Sequence, residues 1–187
     1  MYDPRERMEE NVMASKKNHR NKPAIAITMG DPCGIGPEVV VKAMADPRVY
    51  QTCRPMVVGS IYAIEQAVSL TGVPVTVKEA TDPSHSGIEP GVIEVVDIYN
   101  LNPESITVGE INPTCGKAAM EWVTKAGELA MAGVVDALAT APLNKEAASL
   151  AGYKSIGHME LLQELSKTFF RLENALLSTE NETNEST

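Results

Sequence analysis

Short apolar runs alternate with helical stretches along most of the chain. Ala24–Met29, Pro55–Val58, Val75–Lys78, Val92–Asp97 and Ala137–Ala141 are each bounded by turn-forming or polar residues. Runs of this length and composition read as strands, buried in the case of Ala24–Met29 and Ala137–Ala141. Between them the spacing predicts a helix over Glu38–Met44. A second helix runs from a Ser60 N-cap to Leu70, stopped by Gly72, and a long one from about Cys115 to Met131, with Gly133 near its end. Lys145 marks a further helix start, and Leu161–Leu165 continues a helical run after Gly157-His-Met-Glu160. Thr81–Gly91, rich in Pro, Gly and Ser, reads as a loop. Strands separated by helices predict an α/β fold with a largely parallel sheet covered on both faces. No internal repeat is visible.

The pattern starts at Pro23 and fades past Lys167. Residues 1–22 carry mixed charges without a period and read as a disordered arm, within which Met13 is an alternative start. Residues 168–187 hold the adjacent Phe169 and Phe170 and then a polar, low-complexity tail. The sequons at Asn181 and Asn184 lack an accompanying secretory signal and read as chance matches.

Composition narrows the function classes. The 187 residues suit one α/β domain, and 43% hydrophobic with 22% charged residues is ordinary for a soluble protein. A net charge of −9 argues against nucleic acid or an acidic membrane surface as partner. No apolar run reaches the roughly 18 residues of a membrane span. The charged N-terminal segment has no apolar core, so a cytoplasmic location is expected. Cys33, Cys53 and Cys115 are widely spaced without a C-x-x-C pair, and His19, His85 and His158 are scattered, so a metal centre built from histidines alone is not expected.

Candidate chemistry falls where strands end, the usual ligand edge of an open parallel sheet. Ala24-Ile-Ala-Ile-Thr-Met-Gly-Asp-Pro-Cys-Gly-Ile-Gly-Pro-Glu38 reads as strand, glycine turn and helix start, with Pro37 in the first helical turn. Free amides at a helix start attract anions, so Gly34 and Gly36 are candidates for an anion-binding loop; a purely structural turn is the competing reading. The order G-x-x-x-G-x-G is neither the dinucleotide motif nor a Walker loop. Asp31 adds a carboxylate for a hydroxyl or a cation. In Thr140-Ala-Pro-Leu-Asn-Lys-Glu146, Lys145 suits an anionic group and Asn144 both donates and accepts, against a plain solvated loop. His158 at a helix start is expected to be neutral and able to hydrogen-bond a substrate, against a lone surface histidine. Gly109–Gly116 leads into the long helix, and Gly116, Ala118 and Ala119 are expected to serve close packing.

Taken together, these segments resemble the 4-hydroxythreonine-4-phosphate dehydrogenase family of the pyridoxal-phosphate pathway. Ile27-Thr-Met-Gly-Asp-Pro-Cys-Gly-Ile-Gly-Pro-Glu38 is close to the family's I-T-M-G-D-P-A-G-I-G-P-E. Thr140-Ala-Pro-Leu-Asn-Lys145, Ala151-Gly-Tyr153 and Gly157-His-Met-Glu160 (usually G-H-T-E) follow in order. The Asn-Lys form looks more like the branch acting on 4-phospho-D-threonate or 4-phospho-D-erythronate. The resemblance implies a three-layer α/β/α, isocitrate/isopropylmalate-dehydrogenase-like fold, truncated, with residues 23–167 as its N-terminal portion. It implies NAD-dependent oxidation of a 4-phosphorylated hydroxy acid with decarboxylation, a divalent metal (Zn, Mg or Co), and a homodimer. By the residue match His158 contacts substrate. The neighbouring substrate-binding Thr is Met159 here, which cannot donate a hydrogen bond. The family's metal histidines lie beyond its G-H-T-E motif, so this chain offers no metal ligand by that match, and catalytic residues are not assigned. Two other readings stand beside the enzyme: a non-catalytic phosphate-binding module and an inactive remnant.

Overall fold

The computed structural model describes residues 22–154 and 157–166. The expected arm, apart from Lys22, and the expected tail lie outside the described residues. Lys22 itself donates to the Tyr50 carbonyl.

Five parallel strands form one sheet in the order β3-β4-β2-β1-β5: β1 Ala24–Thr28, β2 Arg54–Val58, β3 Thr76–Glu79, β4 Val92–Val96 and β5 Ala137–Thr140. The central strands β1, β2 and β4 are mostly apolar, as burial on both faces requires, with Glu94 the exception in β4. β5, expected to be buried, is instead a largely exposed edge strand, because no described strand pairs with its outer side. In β2, Met56, Val57 and Val58 are all fully buried, as are Ile93 and Val95 of β4. β1 is the pivot, pairing with β2 through Thr28 opposite Val58 and with β5 through Thr28 opposite Thr140. The two segments that follow β1 and β5 therefore leave the sheet side by side.

Six α-helices and two short 3-10 turns (Pro83–His85 and Pro103–Ser105) accompany the described strands: α1 Gly36–Met44, α2 Pro47–Thr52, α3 Ile61–Thr71, α4 Pro113–Met131, α5 Lys145–Leu150 and α6 His158–Ser166. α1 and α3 pack on each other, whereas α4 lies along β1, β2 and β5 and carries α5 and α6. Parallel crossovers are right-handed, so the steps from β1 through β2 to β3 toward one edge put α1 and α3 on one face, and the return step from β4 to β5 puts α4 on the other. This is the α/β architecture, with helices on both faces, that the sequence predicts.

Local differences have physical causes. Ser60 stands at the N-cap of α3 but its side chain makes no capping bond; the Ile61 amide donates instead to Asp97 Oδ2 at 2.9 Å. The cap comes from beyond the next strand, a tertiary contact that local sequence does not display. α2 went unpredicted, although Asp46 capping Arg48 with Pro47 behind it is an ordinary helix start. α1 begins at Gly36 instead of Glu38, and α4 begins at Pro113, where Asn112 accepts from Thr114 and Cys115.

α4 is the platform of its layer. Trp122, Ala118, Ala119 and Ala126 are buried along it. At Gly116 the backbone of Ala147 and Ala148 in α5 comes so close that a Cβ would collide with it. At Gly127 a Cβ would meet only the tips of Leu162 and Leu165 in α6. Packing is the role expected for Gly116, and packing is what the structure shows.

The two glycines should respond differently to alanine. Gly116→Ala forces backbone apart and should cost about 1–3 kcal/mol. Gly127→Ala displaces only mobile methyls and gains about 1 kcal/mol of helix propensity, so its net change should be near zero. Urea unfolding of both variants checks this, and equal losses would contradict the backbone-contact account.

Candidate functional site

The site is built from the segments that follow β1 and β5. After β1, Gly30 turns the chain at φ 76° beneath the Pro142 carbonyl, where any Cβ would clash. The Asp31 amide then donates to Pro142 O at 2.9 Å, and the Ala141 amide donates to Thr28 O at 3.0 Å. These two bonds extend the β1–β5 pairing past the strands and hold the two loops together.

Asp31 is 5% exposed. Its Oδ1 accepts from the Cys33 amide at 2.9 Å, bracing the glycine turn from within. Burial pushes its pKa upward, while the Cys33 amide and the Asn144 side chain beside it pull the other way. Gly34 follows and lines the cavity described below. Gly36 does not line it: Gly36 packs against the Met29 carbonyl and the Asp31 backbone, leaving no room for a side chain. Of the two glycines expected in an anion loop, Gly34 faces the opening and Gly36 sets how closely α1 approaches the turn. The first amides of α1 have no partner within their helix.

From the other side, Asn144 caps α5, its Oδ1 accepting from Ala147 at 3.0 Å. That bond leaves the Asn144 amide nitrogen for Asp31. Lys145 is the first residue of α5 and is exposed. No described carboxylate lies within ion-pair distance of it. Asp31, Gly34, Ile35, Pro142, Leu143, Asn144 and Lys145 together line an open cavity of about 440 Å³.

His158 opens α6. Its ring lies by the Ala141 carbonyl and feels the Lys145 ammonium, so it stands at the same end of β5, on the flank of the cavity but not in its lining. Nε2 is buried without a hydrogen-bond partner. Burial holds the imidazole below its ordinary pKa; Lys145 adds to this, and the Ala141 carbonyl and Glu160 oppose it. Burial, instead of the helix end, is thus the main cause of the neutral state expected from sequence. Met159 is 77% exposed and lies outside the cavity. Asp31, Gly34, Asn144 and Lys145 are therefore brought together, His158 flanks them, and Gly36 and Met159 stand apart from the opening. Ile35, Pro142 and Leu143 line the cavity without having been singled out; only their position between named residues signalled them. Among the described residues, no group of three or more His, Cys, Asp or Glu converges as metal ligands. No described helix is long and apolar enough to cross a membrane.

Comparison with known proteins gives one consistent neighbourhood. The family model described as "Pyridoxal phosphate biosynthetic protein PdxA" matches residues 51–181. A 4-hydroxythreonine-4-phosphate dehydrogenase of Desulforapulum autotrophicum is 39% identical over 148 residues, 79% of this chain and 44% of that protein. A Clostridium botulinum protein named, provisionally, D-threonate 4-phosphate dehydrogenase is 36% identical over the same shares. The crystal structure of a 4-hydroxythreonine-4-phosphate dehydrogenase from Burkholderia phymatum superposes with a TM-score of 0.74 at 40% identity, over 78% of this chain and 44% of that one. The chain spans less than half the length of the curated relatives it matches.

The electrostatics of His158 yield a test. With its folded-state pKa below the unfolded value of about 6.5, the unfolded chain binds the extra proton as pH falls through that region. Stability should therefore drop on the acid side of about pH 6.5, and His158→Gln should flatten that part of the slope. An imidazole titration by NMR, assigned with the same variant, should place His158 below about 6.5; a value above it would contradict the burial argument.

Proposed function

We propose a function on one premise: the chain belongs to the pyridoxal phosphate biosynthetic protein PdxA family, whose model matches most of its length. The chain carries the phosphate-gripping part of the substrate site of an NAD-dependent dehydrogenase. Its substrate is a 4-phosphorylated hydroxy acid, such as 4-phosphohydroxy-L-threonine or 4-phospho-D-threonate. The observation that carries this reading is the cavity in which an exposed, unpaired lysine faces a glycine turn at a helix start.

Each residue has a task that its surroundings support. Lys145 and the first amides of α1 take the phosphate, the lysine as a charge and the amides as fixed donors. In a protein of net charge −9 that grip has to be local, because the overall field repels anions. Asn144, held as a helix cap, presents its amide nitrogen in a fixed direction. Asp31 braces the turn through Cys33 and offers its second oxygen to a substrate hydroxyl. His158, neutral and with an unpartnered Nε2, hydrogen-bonds the acid at the flank. The Met159 side chain offers no donor, which fits a substrate read elsewhere along its length.

NAD would supply the hydride acceptor for the carbon that bears the hydroxyl, and none of the residues placed above is assigned to holding it. The described residues do not assemble a set of metal ligands, so no step here runs through a metal. A homodimer, a cytoplasmic location and the division of a full active site between this segment and further sequence complete the proposal.

Calorimetric titration of the chain tests it. 4-Phospho-D-threonate or 4-phosphohydroxy-L-threonine should bind, and the unphosphorylated acid should not. Lys145→Ala should weaken binding about ten- to hundredfold, as loss of a charge-assisted contact does. Equal binding of phosphorylated and unphosphorylated acids would overturn the phosphate grip. Reduction of NAD in the same mixture, with a divalent metal present, separates an enzyme from a phosphate-binding module.

A further inference from the structure

We infer that Cys33 and Cys115 form a redox latch: a peroxide converts the two thiols into a disulfide that ties the glycine turn to the first turn of α4. The two residues are 82 positions apart in sequence, yet Cys33 Sγ donates to Cys115 Sγ at 3.0 Å. Both are free thiols and both are buried. A disulfide bond is about 2.05 Å long, so the sulfurs need to close by only about 1 Å. Cys33 lies in a turn outside any helix or strand and can supply that movement, while Cys115 is fixed in α4 and its Sγ faces the Ser105 carbonyl.

The surroundings make the pair a junction. The Cys33 amide is held by Asp31, and its carbonyl accepts from the Gly109 amide at 2.7 Å. Three segments thus meet at the two sulfurs: the turn that braces the site, the stretch before α4, and α4 itself. A second cavity of about 350 Å³, which shares Gly34 and Ile35 with the first, reaches Cys33 and is the proposed route for the oxidant. Cys33 lines it together with Tyr62, Val108 and Gly109. That space admits a molecule as small as hydrogen peroxide, and no larger reagent is needed.

The chemistry balances. One sulfur attacks a peroxide oxygen, the O–O bond breaks, and a sulfenic acid and water form. The second sulfur then attacks the first, releasing another water and leaving the S–S bond. Two thiols and one peroxide give one disulfide and two waters. Burial pushes the Cys115 thiol pKa up, so thiolate is scarce and the reaction is slow. The same burial protects the product from reduction until the turn opens. Cys53 sits elsewhere, half-buried with its Sγ toward the Val49 carbonyl, and stays reduced.

The test uses the whole chain, treated with excess hydrogen peroxide and then denatured in N-ethylmaleimide. Intact mass should show two hydrogens lost and one maleimide added instead of three. A non-reducing peptide map should join the Cys33 and Cys115 peptides. The oxidised protein should unfold about 5–10 °C higher, reversibly with dithiothreitol, because a long loop is closed. Cys33→Ala should show neither the crosslink nor the shift, and Cys53→Ser should show both. Three labelled cysteines after peroxide, a crosslink through Cys53 or between chains, or overoxidation of single sulfurs would overturn the latch.

Discussion

The Asp31 amide donates to the Pro142 carbonyl at 2.9 Å, and the candidate site depends on that contact. It exists because β1 and β5 are neighbours in register and because Gly30 adopts a backbone angle that brings the two loops together without a side chain between them. Once the loops touch, Asp31 can brace the turn, Gly34 can face outward, and Asn144 and Lys145 arrive opposite. Separate the loops and each of these groups is an ordinary surface feature.

A second constraint sits behind the first. α4 carries both α5 and α6, and these helices begin with Lys145 and His158. The close approach at Gly116 fixes how α5 sits on α4, and with it the placement of Lys145 at the start of α5. The charge balance of the protein makes this placement matter: a net charge of −9 repels anions at long range, so the proposed phosphate grip has to come from local groups. The Cys33–Cys115 pair joins the two constraints, because it links the glycine turn directly to α4.

Much of this was legible in the sequence. Apolar runs bounded by turn residues located all five strands; burial explains the signal for β1, β2 and β4, whereas the edge strands β3 and β5 are largely exposed and showed themselves mainly through the turn residues around them. Glycine and proline marked the turn before α1, and the motifs carried the family resemblance. What stayed hidden depended on contacts between distant residues. Asp97 capping α3, the Sγ–Sγ contact across 82 positions and the packing role of Gly36 have no local signal. Exposure was hidden for the same reason: next to His158 in sequence, Met159 still points away from the cavity. The N-terminal residues and the tail fall outside the described structure, as do 155 and 156 just before α6.

Amide chemical shifts recorded while 4-phospho-D-threonate is added to the isotope-labelled chain address the central claim most directly. The account predicts that Gly34, Ile35, Gly36 and Lys145 move together along one saturation curve, with the His158 ring following. Shifts confined to either loop alone, or saturable changes at a different end of the sheet, would contradict it.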